Sequence, residues 1–248
     1  MLKEERQAVI LHQINLHNKV LSSSLSEQIQ VSEDTIRRDL IELAQEGKII
    51  KVHGGALSNS FHQGVSSRDV YSIEEKKRIA LKAVKLIKDG MFVLTTGGTT
   101  ITELAHMLPK DLQATFITVS LSAALEYSHH PNIEVIIIGD KLSKNSKITI
   151  GAEAILKIQQ IKADLCFIGV NAIDLSEGLM DNDWDVVQIK RAMIKSSKKV
   201  IALSIAEKVN TVDQLKICDA DDIDILITEL DPEAEKLQPY RSRGIQIL

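Results

Sequence analysis

Residues 24–53 read SLSEQIQVSEDTIRRDLIELAQEGKIIKVH. Ser24-Leu-Ser-Glu27 has capping-box spacing, in which hydroxyl and carboxylate each satisfy an end-of-helix amide. It predicts a short helix ending near Ile29. Val31 reads as a turn residue and Ser32 as the cap of a further helix. Glu33 and Asp34 fall in its first turn, where the helix dipole favours negative charge. Ile36, Leu40 and Leu43 share one face, and Gly47 ends the helix. Lys48-Ile-Ile-Lys-Val-His53 alternates enough to be a strand, and Gly54-Gly55 follows. Upstream, Val9, Ile10, Gln13, Ile14 and His17 repeat at helical spacing, and their apolar members predict a core stripe. Three helices joined by tight turns and followed by a β-ribbon describe a winged helix-turn-helix.

The other residues of the 248-residue chain follow a different pattern. Residues 57–71, LSNSFHQGVSSRDVY, show no sustained apolar period and read as a linker between a domain at 1–56 and another at 72–248. In the larger piece, helices are expected at 72–89, before Pro109, and at 122–128, 152–161 and 186–197. Strands are expected at 91–95, 115–119, 133–138, 165–168, 200–203, 223–228 and 244–248. Such alternation implies right-handed β-α-β crossovers, an α/β class and a mainly parallel sheet. The run at 133–138 is unbroken in apolar character, which suits a strand buried on both faces.

Composition bounds the function. Hydrophobic residues make up 44% and charged residues 26%, so neither wholesale disorder nor a fibre is expected. No apolar run approaches the roughly 18 residues of a membrane helix, and the N-terminus lacks a signal-peptide core. A cytoplasmic protein without a membrane partner is expected. Cys166 and Cys218 are too few for a disulfide scaffold or a thiolate zinc site. The net charge is −4, so any DNA binding must come from a local patch.

Two stretches carry candidate chemistry. With Ile36 and Leu40 facing a core, Thr35, Arg37 and Arg38 point outward near a helix N-terminus capped by Ser32. Arg is the commonest reader of guanine edges in the major groove. An isolated Arg-Arg pair is usually a solvated face. Two short helices in front and a Lys48, Lys51, His53 ribbon behind favour DNA docking instead. Thr96-Gly-Gly-Thr-Thr100 sits between a strand and a helix, where backbone amides and the helix dipole can cradle an anion. The plain alternative is a tight turn needing glycine for geometry alone, but the carboxyl end of a parallel strand is where ligands bind. Asp181-Asn-Asp-Trp-Asp185 begins like a calcium loop, but Val186 and Ala192 occupy positions that need Gly and Glu, so it reads as a polar loop or N-cap cluster. His129-His130 reads as a surface turn. No metal site and no cofactor are expected, and no hydrolase, metalloprotease, Walker or dinucleotide motif is present.

Val31-Ser-Glu-Asp-Thr-Ile-Arg-Arg-Asp-Leu40 followed by His53-Gly-Gly-Ala56 resembles the N-terminal signature of the DeoR/GlpR-type bacterial transcription regulators. The resemblance continues through Lys76-Lys-Arg-Ile-Ala80, Gly98-Thr-Thr100, Phe167-Ile-Gly169 and Lys190-Arg-Ala-Met193. It implies a repressor of carbohydrate or related metabolic genes that binds a double-stranded DNA operator. It also implies a homo-oligomer, at least a dimer, and a C-terminal domain similar in fold to sugar-phosphate isomerases that senses a phosphorylated sugar or related small metabolite. The effector residues so implied are Gly98, Thr99, Thr100, Thr118, Ser120, Gly139 and Lys190, to which the loop residues Thr96 and Gly97 are added.

Departures from the family pattern concentrate there. Thr96 stands for an Asp, Val119 for an amide and Asp140 for a Gly. Ser204-Ile-Ala-Glu207 lacks both the Asp and the Lys of its segment, with Lys208 next door. These changes predict poor affinity for ordinary sugar phosphates, and an effector that is less charged or held by Lys190 or Lys208, or none. They also leave no well-placed Asp/Lys pair for the rival reading, a sugar-phosphate isomerase. A third reading keeps DNA binding and gives the sheet domain only an oligomerising role.

Overall fold

The computed structural model describes residues 1–59 and 70–248, so most of the expected linker lies outside the described residues. The chain divides into two units, Met1–Ile73 and Glu74–Leu248.

In the first unit, α1 (Lys3–His17) leads into β1 (Lys19–Leu21), then α2 (Ser22–Ile29), α3 (Glu33–Gln45), β2 (Ile49–Val52) and β3 (Gly55–Ser58). Ile10 and Ile14 of α1, Leu25 of α2, and Ile36, Leu40 and Leu43 of α3 close one core with Ile49 and Ala56. Val9 instead stays 38% exposed. Ser32 caps α3 as read, its hydroxyl accepting the Thr35 amide at 3.2 Å. The second helix starts at Ser22 rather than Ser24, because β1 delivers the chain extended up to Leu21. Three-residue β1 has too little sequence to show a period. It pairs antiparallel with β3, giving the order β1-β3-β2. Leu57 and Ser58 are therefore strand residues of the wing and not linker. The wing explains both glycines of the HGGA segment. Gly54 turns the hairpin with φ +76°, and a Cβ on Gly55 would lie 2.0 Å from the Val20 carbonyl oxygen.

The second unit opens with α4 (Ile73–Ala83), which passes into a single 3-10 turn at Val84–Leu86 instead of running to Asp89. Then follow β4 (Phe92–Thr95), α5 (Thr99–His106), β5 (Thr115–Thr118), α6 (Leu121–Ser128), β6 (Glu134–Ile137), β7 (Lys141–Ser143), β8 (Ile148–Ile150), α7 (Ala152–Gln159) and β9 (Leu165–Gly169). The chain continues through β10 (Ala172–Asp174), β11 (Gly178–Asp181), α8 (Trp184–Lys195), β12 (Val200–Leu203), β13 (Leu215–Cys218), β14 (Ile225–Ile227), α9 (Gln238–Ser242) and β15 (Gln246–Ile247). Seven strands form a parallel sheet in the order β15-β14-β12-β9-β4-β5-β6. The α/β class and the parallel sheet are as expected.

Two features differ. β6 is an edge strand, with Ile136 38% and Ile137 43% exposed, and is not buried on both faces. An apolar run fits a buried strand but does not say where crossovers place it in the sheet. The second difference is an antiparallel sheet, order β10-β11-β13, and a β7-β8 hairpin, inserted where the sequence suggested only loops. The main core lies between the parallel sheet and its helices, with Leu94, Cys166, Ile168 and Ala202 fully buried and Val187, Ile189 and Met193 of α8 against them.

Candidate nucleic-acid interface and candidate anion site

The outward face of α3 carries Arg37 and Arg38, both exposed, with Thr35 half-buried beside them. Arg37 is not an idle cation. Its guanidinium donates to Glu33 Oε1 at 3.0 Å and lies 3.8 Å from Asp34, so the first-turn carboxylates hold it along the helix. On the wing, Lys48 pairs with Glu46 at 2.8 Å, and Lys51 and His53 are exposed. Asp39, next to the arginines, has the opposite fate. It is 2% exposed and accepts from Arg6 of α1 at 2.6 Å and from Gln7. It pins α1 to α3, so the exposed TIRR face rests on a buried ion pair that the sequence pattern did not flag.

The second site lies at the carboxyl ends of β4 and β9. The loop after β4 leads into α5 through Gly98, whose φ of +111° few side chains tolerate. No side chain caps α5, so its first amides and dipole face outward there. Several expected effector hydroxyls are spent internally. Thr96 Oγ1 accepts the Gly169 amide at 3.1 Å. Thr118 Oγ1 donates to the Thr95 carbonyl at 3.0 Å and accepts the Ser120 amide. Ser120 caps α6 through the Ala123 amide, and its Oγ leaves no room for a Cβ on Gly97. Gly139 is exposed, and its carbonyl lies 3.5 Å from Lys157 Nζ. Thr118, Ser120 and Thr96 thus shape the loop, while Gly98, Thr99 and Thr100 present its amides.

Lys190 of α8 donates to the Gly169 carbonyl at 2.8 Å and to Asp181 at 2.6 Å, both ends of the ion pair being buried. Gly169 thus links Lys190 to Thr96 and the β4 loop. Asp181 is a hub, since its other oxygen accepts from Asn171 and from the Asn182 and Asp183 amides. Asp183 caps α8. The 181–185 cluster is therefore an N-cap cluster, as read, and Asp181 adds a buried ion pair that the sequence did not show. An Asp/Lys pair outside the positions weighed in the sequence does form here, because Asp181 comes from β11, a strand the sequence pattern did not reveal, but both groups are engaged structurally.

Two further lysines gather here. Lys208 is 9% exposed and donates to the Val170 carbonyl at 3.1 Å. Burial, then the charges of Lys76 and Lys190, push its pKa down to about 7, with Asp181 and Asp213 opposing. Lys76 of α4 is 8% exposed, and burial brings it down to about 8 against the pull of Glu103 and Glu75. Burial also raises the Asp213 carboxyl, whose Oδ2 is enclosed without a hydrogen-bond partner. Lysines that lose their charge this readily mark a region short of anions. The sequence carried a signal for two of them. Lys76 shares its stripe with buried Ile79, Ala80 and Ala83, and Lys190 sits among Val186, Val187, Ile189 and Met193. A lysine on a core-facing stripe is an anomaly in itself.

Asp140 accepts the Ala154 amide at the start of α7 and the Lys141 amide beside it, and these bonds hold its carboxyl below the usual range. Glu207 is exposed, whereas Lys208 takes the buried position.

A winged helix with an outward arginine face, followed by a parallel α/β unit with a cationic cluster at its strand ends, is the build of a DNA-binding regulator with a sensor domain. A DeoR-like helix-turn-helix domain matches residues 6–61, and a DeoR C terminal sensor domain matches residues 71–230. The chain is 33% identical to the HTH-type transcriptional regulator GolR of Listeria innocua, covering 100% of this chain and 98% of that one. It is 32% identical to the transcriptional repressor GlcR of Bacillus subtilis, over 100% and 96%. With the glycerol-3-phosphate regulon repressor of Escherichia coli it shares 28% identity, over 100% and 99%. This chain belongs to the DeoR family of transcriptional regulators. It is also similar to ribose 5-phosphate isomerase A of Methanocaldococcus jannaschii, at 19% identity and a TM-score of 0.39, over 58% of this chain and 55% of that one. That likeness is too distant to carry chemistry from one to the other. Among the described residues, no helix is long and apolar enough to cross a membrane, and no group of three or more His, Cys, Asp or Glu side chains could hold a metal ion.

Proposed function

We propose that this chain is a cytoplasmic repressor that reads an operator with α3 and is released by an anionic metabolite bound in its second unit. One observation carries the DNA part: Ile36 and Leu40 are fully buried while Arg37 and Arg38 of the same Ser32-capped helix are exposed. In this reading Ser32, Thr35, Arg37 and Arg38 enter the major groove, and Lys48, Lys51 and His53 grip the backbone or minor groove. One such unit reads only a half-site, so the protein acts as a homo-oligomer, at least a dimer, held by residues 72–248. The effector meets the amides of Gly97 to Thr100 at the start of α5 and the ammonium groups of Lys190, Lys76 and Lys208. The relative named for a glycerol-3-phosphate regulon supports a phosphorylated effector.

The test is selection of bound sequences from random duplex DNA by the full-length protein. A recurring pair of half-sites about one helical turn apart, or a multiple of that, is expected. Selection of nothing beyond background would overturn the reading. The isomerase alternative gains a buried Asp181–Lys190 pair but no support from the three relatives named above, each a regulator. Turnover of a pentose or hexose phosphate by the purified protein would revive it.

A further inference from the structure

Lys208 sits at the end of a 3-10 turn, Ala206–Lys208, just beyond β12. Its ammonium has three protons to donate. Its hydrogen bond goes to the Val170 carbonyl, a neutral acceptor, and no carboxylate lies within ion-pair distance of it among the described residues. The charged groups around it come from every side. Lys76 reaches it from α4 and Lys190 from α8, both of like sign. Asp181 of β11 and Asp213 of the segment before β13 face it with opposite sign. Asp181 is already engaged by Lys190 at 2.6 Å, and Asp213 keeps one oxygen enclosed and unpartnered. A buried ammonium in that company lacks the counter-charge that would make its burial tolerable.

We propose that Lys208 is a proton-coupled anchor for the effector: the anion binds only with Lys208 charged, and a proton is taken up from solvent as it binds. This rests on the sensor reading of the second unit. The anion supplies the missing counter-charge, and its oxygens accept the ammonium protons that Val170 does not use. The depressed pKa, about 7, leaves a large share of neutral amine at physiological pH in the empty state. The regulator then responds to a metabolite and to pH together. At a fixed effector concentration, occupancy rises as pH falls through neutrality. Each pH unit above the Lys208 midpoint weakens apparent binding by about tenfold, the signature of one proton linked to one ligand.

Sodium sulfate is a suitable probe because it stays a dianion throughout this range, so any pH dependence belongs to the protein. Calorimetric titration of the full-length protein, at ionic strength matched with sodium chloride, should show saturable binding at least tenfold weaker near pH 8.5 than near pH 6.5. Heats in buffers of different ionisation enthalpy should report close to one proton taken up near pH 8. Lys208→Met keeps an unbranched apolar side chain. It should bind more weakly at the lower pH and lose most of the pH dependence, with melting at pH 9 confirming that it folds. Absence of saturable sulfate binding to the wild type would overturn the proposal. So would an unchanged pH dependence in Lys208→Met. Binding abolished by Gly98→Val yet untouched by Lys208→Met would place the anion at α5 alone, sinking the anchor while leaving the sensor reading intact. Release of operator DNA by metabolites tests that reading separately.

Discussion

Arg37 on α3 and Lys190 on α8 each sit beside a carboxylate, at 3.0 and 2.6 Å, yet the two pairs do different physical work. The side chains of the first pair are 57% and 42% exposed, and those of the second are both 6% exposed. In water the Arg37–Glu33 attraction is screened, and either partner can leave it for a phosphate or a base at little cost. In the interior, neither Lys190 nor Asp181 can be left alone. The same kinds of group therefore give an exchangeable surface pair in one unit and a fixed, buried pair in the other.

The comparison breaks most visibly if one acid is removed from the buried pair and one from an exposed pair of the first unit, Lys48–Glu46. Asp181→Ala should destabilise the second unit by about 3–5 kcal/mol, because it leaves a buried lysine unneutralised. Glu46→Ala, which strips Lys48 of its exposed partner, should cost at most about 1 kcal/mol. Chemical denaturation of the full-length protein measures both. Comparable losses from the two would refute the contrast.

Next in size is a pH effect confined to the buried cluster. Lys208 has a folded pKa near 7 against 10.5 unfolded, so below pH 7 it is charged in both states and its burial penalty is complete. Above pH 7 the folded form sheds the proton while the unfolded chain keeps it, so stability rises with pH. Lys76, near 8, adds in the same direction. The window closes toward pH 9, where unfolded thiols ionise but buried Cys166 and Cys218, pushed up to about 12, resist. Between pH 7 and 8 we expect a gain of up to about 1 kcal/mol for each pH unit, chiefly from Lys208, with Lys76 adding above pH 8, and Lys208→Met should remove the part that begins at pH 7. Thermal melts of both proteins across that window check this. A flat wild-type profile would mean that these lysines are better solvated than their burial implies.

On the exposed side, Arg38→Ala or Arg37→Ala should each weaken operator binding by about 1–3 kcal/mol and leave the melting temperature unchanged. Lys51→Ala should lower affinity for all duplexes alike and reduce the salt slope by about one. Gel shifts over a salt series separate the two behaviours. A double Arg→Ala protein with wild-type affinity would remove α3 from the interface.

What could be read in advance follows the same divide. The helices of the first unit announce themselves through Ser32, the Ile36/Leu40 stripe and Gly47, all local signals. Strand β1 does not, because three residues hold no period and their pairing with β3 is a tertiary matter. In the second unit the parallel strands are legible as apolar runs, but the rank order in the sheet is not, which is why the apolar run of β6 reads as an interior strand. The candidate anion site is half legible. The glycines of the β4 loop and Lys190 stand out in the sequence, whereas Asp181 and Asp213 lie in or beside strands of the inserted antiparallel sheet, and Lys208 is displaced by one position from the family's lysine. Thr118 and Ser120 enter the expected effector set through the family resemblance, and the hydrogen bonds they make to backbone groups are visible only in the fold.

The smallest effect concerns Glu33 and tests whether the α3 surface is truly exchangeable. Glu33→Gln removes the charge that holds Arg37 at 3.0 Å and leaves Asp34, at 3.8 Å, as a weaker partner. Two consequences oppose each other. The helix loses an acidic group from its first turn, which costs about 0.3–1 kcal/mol of stability. Arg37 becomes easier to recruit, and a negative charge near the phosphates disappears, so DNA binding should tighten. Because the site is solvated, the gain should be only a few-fold at physiological salt and should grow as salt is lowered, since screening weakens with it. The increase should also appear on unrelated duplexes, because the lost repulsion does not depend on sequence. If Glu33→Gln instead weakens operator binding while leaving non-specific binding unchanged, then Glu33 positions Arg37 for the base it reads, and the pair is part of the recognition geometry and not an exposed convenience.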